Sequence, residues 1–143
     1  MNQADLRRMA EERIKDAKAL IRGKRREFAY YAAGYSVECA LKSCALARMI
    51  HTAWVFEERW NARDCLTHDF NQLIGLAGLN NELNSRRAAS RASGDLFDSN
   101  WKKVVAWTVT SRYAPRTEAD ARDLFAAITH NPDGVFRWVK RYW

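Results

Sequence analysis

The stretch from residue 27 to about residue 50 constrains this chain more than any other. Phe28, Tyr31, Tyr35, Leu46 and Met49 mark one side of a helical pattern, while Tyr30, Val37, Leu41 and Cys44 mark another. A helix apolar nearly all round has no face to give to water, so it must be central, with other elements packed around it. Those neighbours have to bring apolar stripes, and the sequence offers them. Leu6, Ala10, Ile14, Ala17 and Ile21 recur at three- and four-residue steps and predict a first helix over about 4–22, ended by Gly23. Phe70, Leu73, Ile74 and Ala77 predict a helix capped by Thr67 or Asp69 that bends near Gly75 and Gly78, before a further turn around Glu82 and Leu83. Trp101, Val104, Val105, Thr108 and Val109 predict a helix that stops before Pro115. Thr117 opens another, with Glu118 and Asp120 in its first turn and Ala121, Leu124, Phe125 and Ile128 as its core face. A turn at 131–134 leads into an amphipathic tail through Val135, Phe136, Val139 and Tyr142.

Six glycines and two prolines leave too few turn-makers for an all-β sandwich or barrel. The expected fold class is all-α, an antiparallel bundle of four main helices plus short extra ones, in a single domain over residues 1–143 with no repeat. A chain of this length can bury roughly 68–70% of its unfolded surface, enough for a core without metal or disulfide staples. Residues 86–99 hold three serines, paired alanines and Gly94, and are expected to be the mobile segment. Residues 52–67 lack a clear period and read as a long connection whose Trp54, Phe56 and Trp60 fold back on the bundle. These aromatics and those at 135–143 exceed what a small bundle must bury, which predicts a homodimer.

No stretch approaches the length of an apolar membrane span, and charges run through residues 1–23 in place of a signal peptide's apolar centre, so a cytoplasmic protein without membrane contact is expected. Cys39, Cys44 and Cys65 form an odd set, and the five-residue step between the first two points them to different faces. Neither a disulfide framework nor a metal site follows, and no cofactor is expected. The net charge of +7 is uneven: residues 1–26 carry +5, residues 27–85 carry −3 and residues 86–103 carry +3. The cations from Arg7 to Arg26 form either a solvated helix face or a phosphate-facing surface, since polyanion binding scales with the number of Lys and Arg.

Within the central pattern, Glu38 and Lys42 interrupt the apolar surface four residues apart. A buried carboxylate needs a donor, and Arg112, at the end of the Trp101 helix, is the expected one in a structural clamp. The alternative is a pocket formed with Tyr113, in which Arg112 and Lys42 contact a nucleotide or an RNA phosphate.

The run GYSVECALK, within AYYAAGYSVECALK at 29–42, resembles the second-helix signature of HEPN domains, small helical bundles of prokaryotes. Further matches follow in the family's order: a first helix ending in glycine, THDFNQL at 67–73, then Trp107, Arg112, Tyr113 and Pro115. The resemblance spans about residues 5–130. It implies a bundle of four main helices, commonly dimeric, and often a metal-independent endoribonuclease, toxin or defence effector encoded beside a nucleotidyltransferase. The family's catalytic signature is an Arg followed after four to six residues by a His, normally late in the bundle. His moves protons near neutral pH and Arg stabilises charge on a phosphate in flight. The late pair here, Arg122 and His130, is one residue too far apart, which leaves the side chains about 80° apart around the axis. Only Arg63 and His68, in RDCLTH, have the right spacing. His68 also stands at a helix start, where a ring nitrogen can simply bond a nearby backbone group or carboxylate.

The function expected from these features is a nucleic-acid- or nucleotide-linked binding component of a prokaryotic defence or toxin-antitoxin system, without strong nuclease activity. The alternatives are a metal-independent endoribonuclease toxin using Arg63 and His68, and a dimerising adaptor for a nucleotidyltransferase.

Overall fold

The computed structural model describes the backbone of residues 1–52 and 64–143 and the side chains of residues 1–50 and 65–143. Among these residues every regular element is helical. The α-helices are α1 (Gln3–Arg22), α2 (Arg26–Thr52), α3 (Phe70–Leu76), α4 (Asn80–Ser93), α5 (Phe97–Val105), α6 (Glu118–Thr129) and α7 (Val135–Val139), with 3-10 turns at Asp64–Leu66 and Val109–Tyr113. No helix among the described residues is long and apolar enough to cross a membrane.

Helix α2 is the axis of the molecule. Between residues 29 and 45 only Tyr31, Tyr35 and Lys42 keep partial exposure, and α1, α3, α6, α7 and the 3-10 turn at Val109–Tyr113 all pack on it. Helix α1 starts from a capping box in which Asn2 and Asp5 bond each other's backbone N–H, satisfying donors that have no partner within the helix. The three residues after it turn the chain back, so that Gln3 at its start bonds the carbonyl of Ser43 near the far end of α2. Ala10 and Ala17, two turns apart on one face of α1, are fully buried. Small side chains at such a contact let two helix axes approach closely.

Gly34 has a different task. A Cβ there would lie 2.2 Å from the indole of Trp107, so Trp107 rests on bare α2 backbone. Its ring stacks on Phe70 at 5.3 Å and 10° and tilts against Tyr31 at 5.8 Å. The expected helix through Val109 in fact ends at Val105. Thr108 is extended, its N–H donating to the Ser111 hydroxyl and its carbonyl accepting from the Ser111 N–H. Hydroxyl side chains offering local partners compete here with helix continuation.

Residues 86–99, expected to be mobile, are ordered. Helix α4 runs to Ser93, Gly94 closes it in the left-handed region at φ 76°, and α5 begins at Phe97. Arg86 reaches Asp95 at 3.0 Å and Asp133 at 3.2 Å. Asp98, nearly buried, takes Arg87 at 2.7 Å, Lys102 at 3.1 Å and Arg91 at 3.2 Å. Residues expected to form a mobile segment thus carry ties between α4, α5 and the turn before α7. The aromatics at 135–143 are likewise used inside the chain: Phe136 and Trp138 are buried, with Trp138 against Phe97 and Tyr142, and Trp143 against Phe136. That half of the dimer argument loses its basis, while Trp54, Phe56 and Trp60 lie outside the described residues.

Two predictions follow from this packing. Gly34→Ala should destabilise the protein by about 1–3 kcal/mol in thermal or urea unfolding, because a rigid indole in contact with other rings cannot yield cheaply. A stability equal to wild type would mean that Trp107 does not lie on Gly34. The second concerns acid. The Ser90 hydroxyl, the Phe97 N–H and Arg86 hold the Asp95 carboxyl at about 2. A depressed carboxyl stabilises the fold above its ordinary range near 4, and the contribution disappears as pH falls through the folded value. The melting-temperature gap between wild type and Asp95→Asn should therefore be widest at about pH 6 and close toward about pH 2.

Candidate functional site at the middle of the central helix

Glu38 is 1% exposed, halfway along α2. A carboxylate there must be neutralised or bonded, and both partners are present. Lys42, one turn on, places Nζ 2.7 Å from Oε1. At 20% exposure its stem runs through the packing while the ammonium reaches the edge of the bundle. The second partner arrives from another element. Asp69 caps α3 by accepting the N–H of Gln72, which fixes the segment just before the helix, and His68 from that segment sets Nδ1 2.9 Å from the same Oε1. Oε2 is buried and has no hydrogen-bond partner among the described residues.

A carboxylate only accepts hydrogen bonds, so the imidazole donates from Nδ1. In the neutral ring this leaves the lone pair on Nε2. His68 is 47% exposed and borders a cavity of about 240 Å³ with Asp69, Asn71, Trp107 and Thr108. The Trp107 indole N–H is also buried with no acceptor among the described residues. The arrangement is a histidine oriented from behind by a buried carboxylate, with its other nitrogen available on the outer side. Chemically that is a proton acceptor or a hydrogen-bonding contact for a polar ligand.

The expected clamp between Glu38 and Arg112 is not formed. Arg112, on the 3-10 turn, lies over the rings of Tyr113 at 4.8 Å and Tyr31 at 5.9 Å, and Tyr113 is 77% exposed. The polar set thus divides: Glu38, Lys42 and His68 come together, while Arg112 stands apart between the Tyr31 and Tyr113 rings. The reason is geometric, since the carboxylate is already served by its own helix and by α3's leading segment, and the short 3-10 turn carries Arg112 outward. Arg63 lies outside the described residues. The late pair is separated in role as well as by angle: Arg122 bonds Glu118, and His130 Nδ1 accepts the N–H of Asp133 in the turn after α6.

Cys39 and Cys44 are buried and Cys65 half-buried, and none of the three is in a disulfide. Burial pushes the first two thiols up to about 11 and about 12, which makes them inert packing groups. No group of three metal-ligating side chains occurs among the described residues. Several cations at the start of the chain are already engaged: Arg8, Arg13 and Arg26 are paired with Asp5, Asp16 and Glu27, and Arg7 lies over Trp143. No family model, curated protein or solved structure matches the chain, and what the site can do follows from its own chemistry.

The geometry separates two substitutions that the sequence reading treats alike. Glu38→Ala leaves an ammonium and an imidazole without their shared acceptor and a hole in the core, and should cost about 1–3 kcal/mol. Arg112→Ala removes only ring contacts at the surface and should cost less than about 1 kcal/mol. Equal losses in parallel melting curves would restore a Glu38–Arg112 link.

Proposed function

We propose that this chain is a HEPN-type helical bundle of the cytoplasm and a nucleic-acid- or nucleotide-linked component of a prokaryotic defence or toxin-antitoxin system, with His68 at its ligand contact. The observation that carries the reading is the Glu38–His68 bond, which fixes one ring nitrogen inside the bundle and leaves the other for a ligand. Lys42 supplies a positive charge beside it, and the chain's excess of cations favours an anionic ligand. Cysteines outside any disulfide suit a reducing compartment. The reading includes a homodimer and a nucleotidyltransferase partner as the resemblance implies them.

One feature favours a second reading, the metal-independent endoribonuclease. A histidine whose Nδ1–H is held by a carboxylate is oriented for general acid-base work through Nε2, and Arg63 would then be the group that stabilises the phosphate.

Both are tested together by incubating single-stranded RNA with the purified protein in EDTA, beside an RNA-binding titration of wild type and His68→Ala. The expected result is RNA that stays intact and is bound about tenfold more weakly by His68→Ala, a loss of about 1.4 kcal/mol. Cleavage that His68→Ala abolishes without lowering the melting temperature would establish the nuclease instead. A protein that binds neither RNA nor mononucleotides would leave only the adaptor role.

A further inference from the structure

A second surface, distinct from the His68 cavity, lies in the groove between α1 and α2. Phe28, Tyr31 and Tyr35 project from α2 at three- and four-residue steps. Phe28 meets Tyr31 edge-on at 6.4 Å, and Tyr31 and Tyr35 are nearly parallel at 5.8 Å and 12°. The three rings form a strip along a groove of about 460 Å³ floored by Ala19, Leu20 and Ala32. Phe28 is 63% exposed although the core lies directly behind it.

Charge stands beside the strip. Arg25, in the turn before α2, borders the groove and has no ion-pair partner among the described residues, and Arg112 lies over the Tyr31 ring at 5.9 Å. Arg13 borders it too, paired with Asp16 at 3.1 Å. A row of ring faces with unpaired guanidinium groups beside it suits bases that stack in succession while their phosphates meet the cations. A single mononucleotide would occupy only part of a strip that runs about 10 Å along the helix axis. A second copy of this chain is disfavoured, because a symmetric contact would bring the same cations face to face.

We infer that the α1–α2 groove is a stacking platform for unpaired bases of a single-stranded polynucleotide, with Phe28 and Tyr35 as the stacking rings, Tyr31 as the ring that holds them in a row, and Arg25 and Arg112 as phosphate contacts. The inference rests on the nucleic-acid reading above and deepens it by giving the ligand as a strand with unpaired bases. The two surfaces are linked: Tyr31 touches Trp107, which borders the His68 cavity, so one strand can engage both.

The test compares a single-stranded RNA of about 8 nucleotides with a ribose-phosphate strand of equal length lacking bases, titrated against wild type, Phe28→Ala, Tyr35→Leu, Arg25→Ala and the distant Lys103→Ala. Phe28→Ala and Tyr35→Leu should each weaken binding of the base-bearing strand by about tenfold and leave the baseless strand unchanged. Arg25→Ala should weaken both and lower the salt dependence by about one phosphate contact. Lys103→Ala should have the smallest effect, and unchanged melting of the Phe28 variant certifies its fold. If RNA binds wild type and the two ring variants alike, the groove assignment is overturned and the nucleic-acid reading stands. Equal weakening of both strands by Phe28→Ala also overturns stacking. Absence of any RNA binding to wild type at about 50 mM salt overturns the nucleic-acid reading together with the groove. A Phe28→Ala variant that changes the mass by light scattering while binding RNA normally would make the groove a contact between copies, and overturns the proposal.

Discussion

Burying a helix on nearly every side sets a condition on the rest of this molecule. Along α2 between residues 29 and 45, a group that is not apolar has only the bundle to supply a partner. The condition is met in part: Glu38 Oε1 has two donors, while Glu38 Oε2 and Ser43 Oγ have no partner among the described residues. Close packing is achieved by subtraction at Gly34, where the indole of Trp107 takes the place of a side chain. Polarity is handled at Glu38 by a lysine of the same helix and a histidine from the segment before α3. The candidate site is therefore a by-product of the same condition: a buried carboxylate demands donors, and the donor that comes from outside the helix is one that can also face solvent.

Asp98 makes an instructive contrast. It collects three cations from α4 and α5, so that much of the positive charge in residues 86–103 is already engaged. Arg91 and Lys102 remain more than half exposed, and pairs of that kind contribute little individually. Their joint effect is to tie the polar α4 to α5, which is itself held in the core by Phe97, Trp101 and Val104. Net charge is thus a poor guide to where a polyanion would bind. The cations without an acidic neighbour, Arg25 and Arg112 among them, are better candidates than the densest cluster.

The elements with strong local signals were legible in the sequence: α1 with its glycine stop, the all-round apolar α2, the Asp69 cap and the Thr117 cap. Helix α4 was not, because Ser, Ala and Arg at 85–93 give no apolar period and the ties that order them come from Asp95, Asp98 and Asp133 further along the chain. The end of α5 differs from the expected one because Thr108 and Val109 continue the helical spacing, while the local bonding between Thr108 and Ser111 that stops the helix leaves no mark in that spacing. At the site, Lys42 was readable as an i+4 neighbour of Glu38. His68 was readable as a helix-start residue with a ring nitrogen free for a carboxylate, but which carboxylate is a matter of tertiary packing. The aromatic strip of Phe28, Tyr31 and Tyr35 was visible as a periodicity, yet period alone does not say whether a face meets protein or ligand.

The three-residue link between α1 and α2 also bears on how the molecule assembles. Contacts between helices joined so closely need almost no loop to be closed, so the hairpin can form early and cheaply. The groove between these two helices is built from that local unit alone. The bond between Glu38 and His68, in contrast, joins positions 30 residues apart in sequence, and Trp107 must return from the far half of the chain to rest on Gly34. The two surfaces consequently differ in what they demand of the chain: the groove's rings and Arg25 need only the first helical pair, with Arg112 added from the far half, whereas the histidine is oriented only once long-range closure is complete.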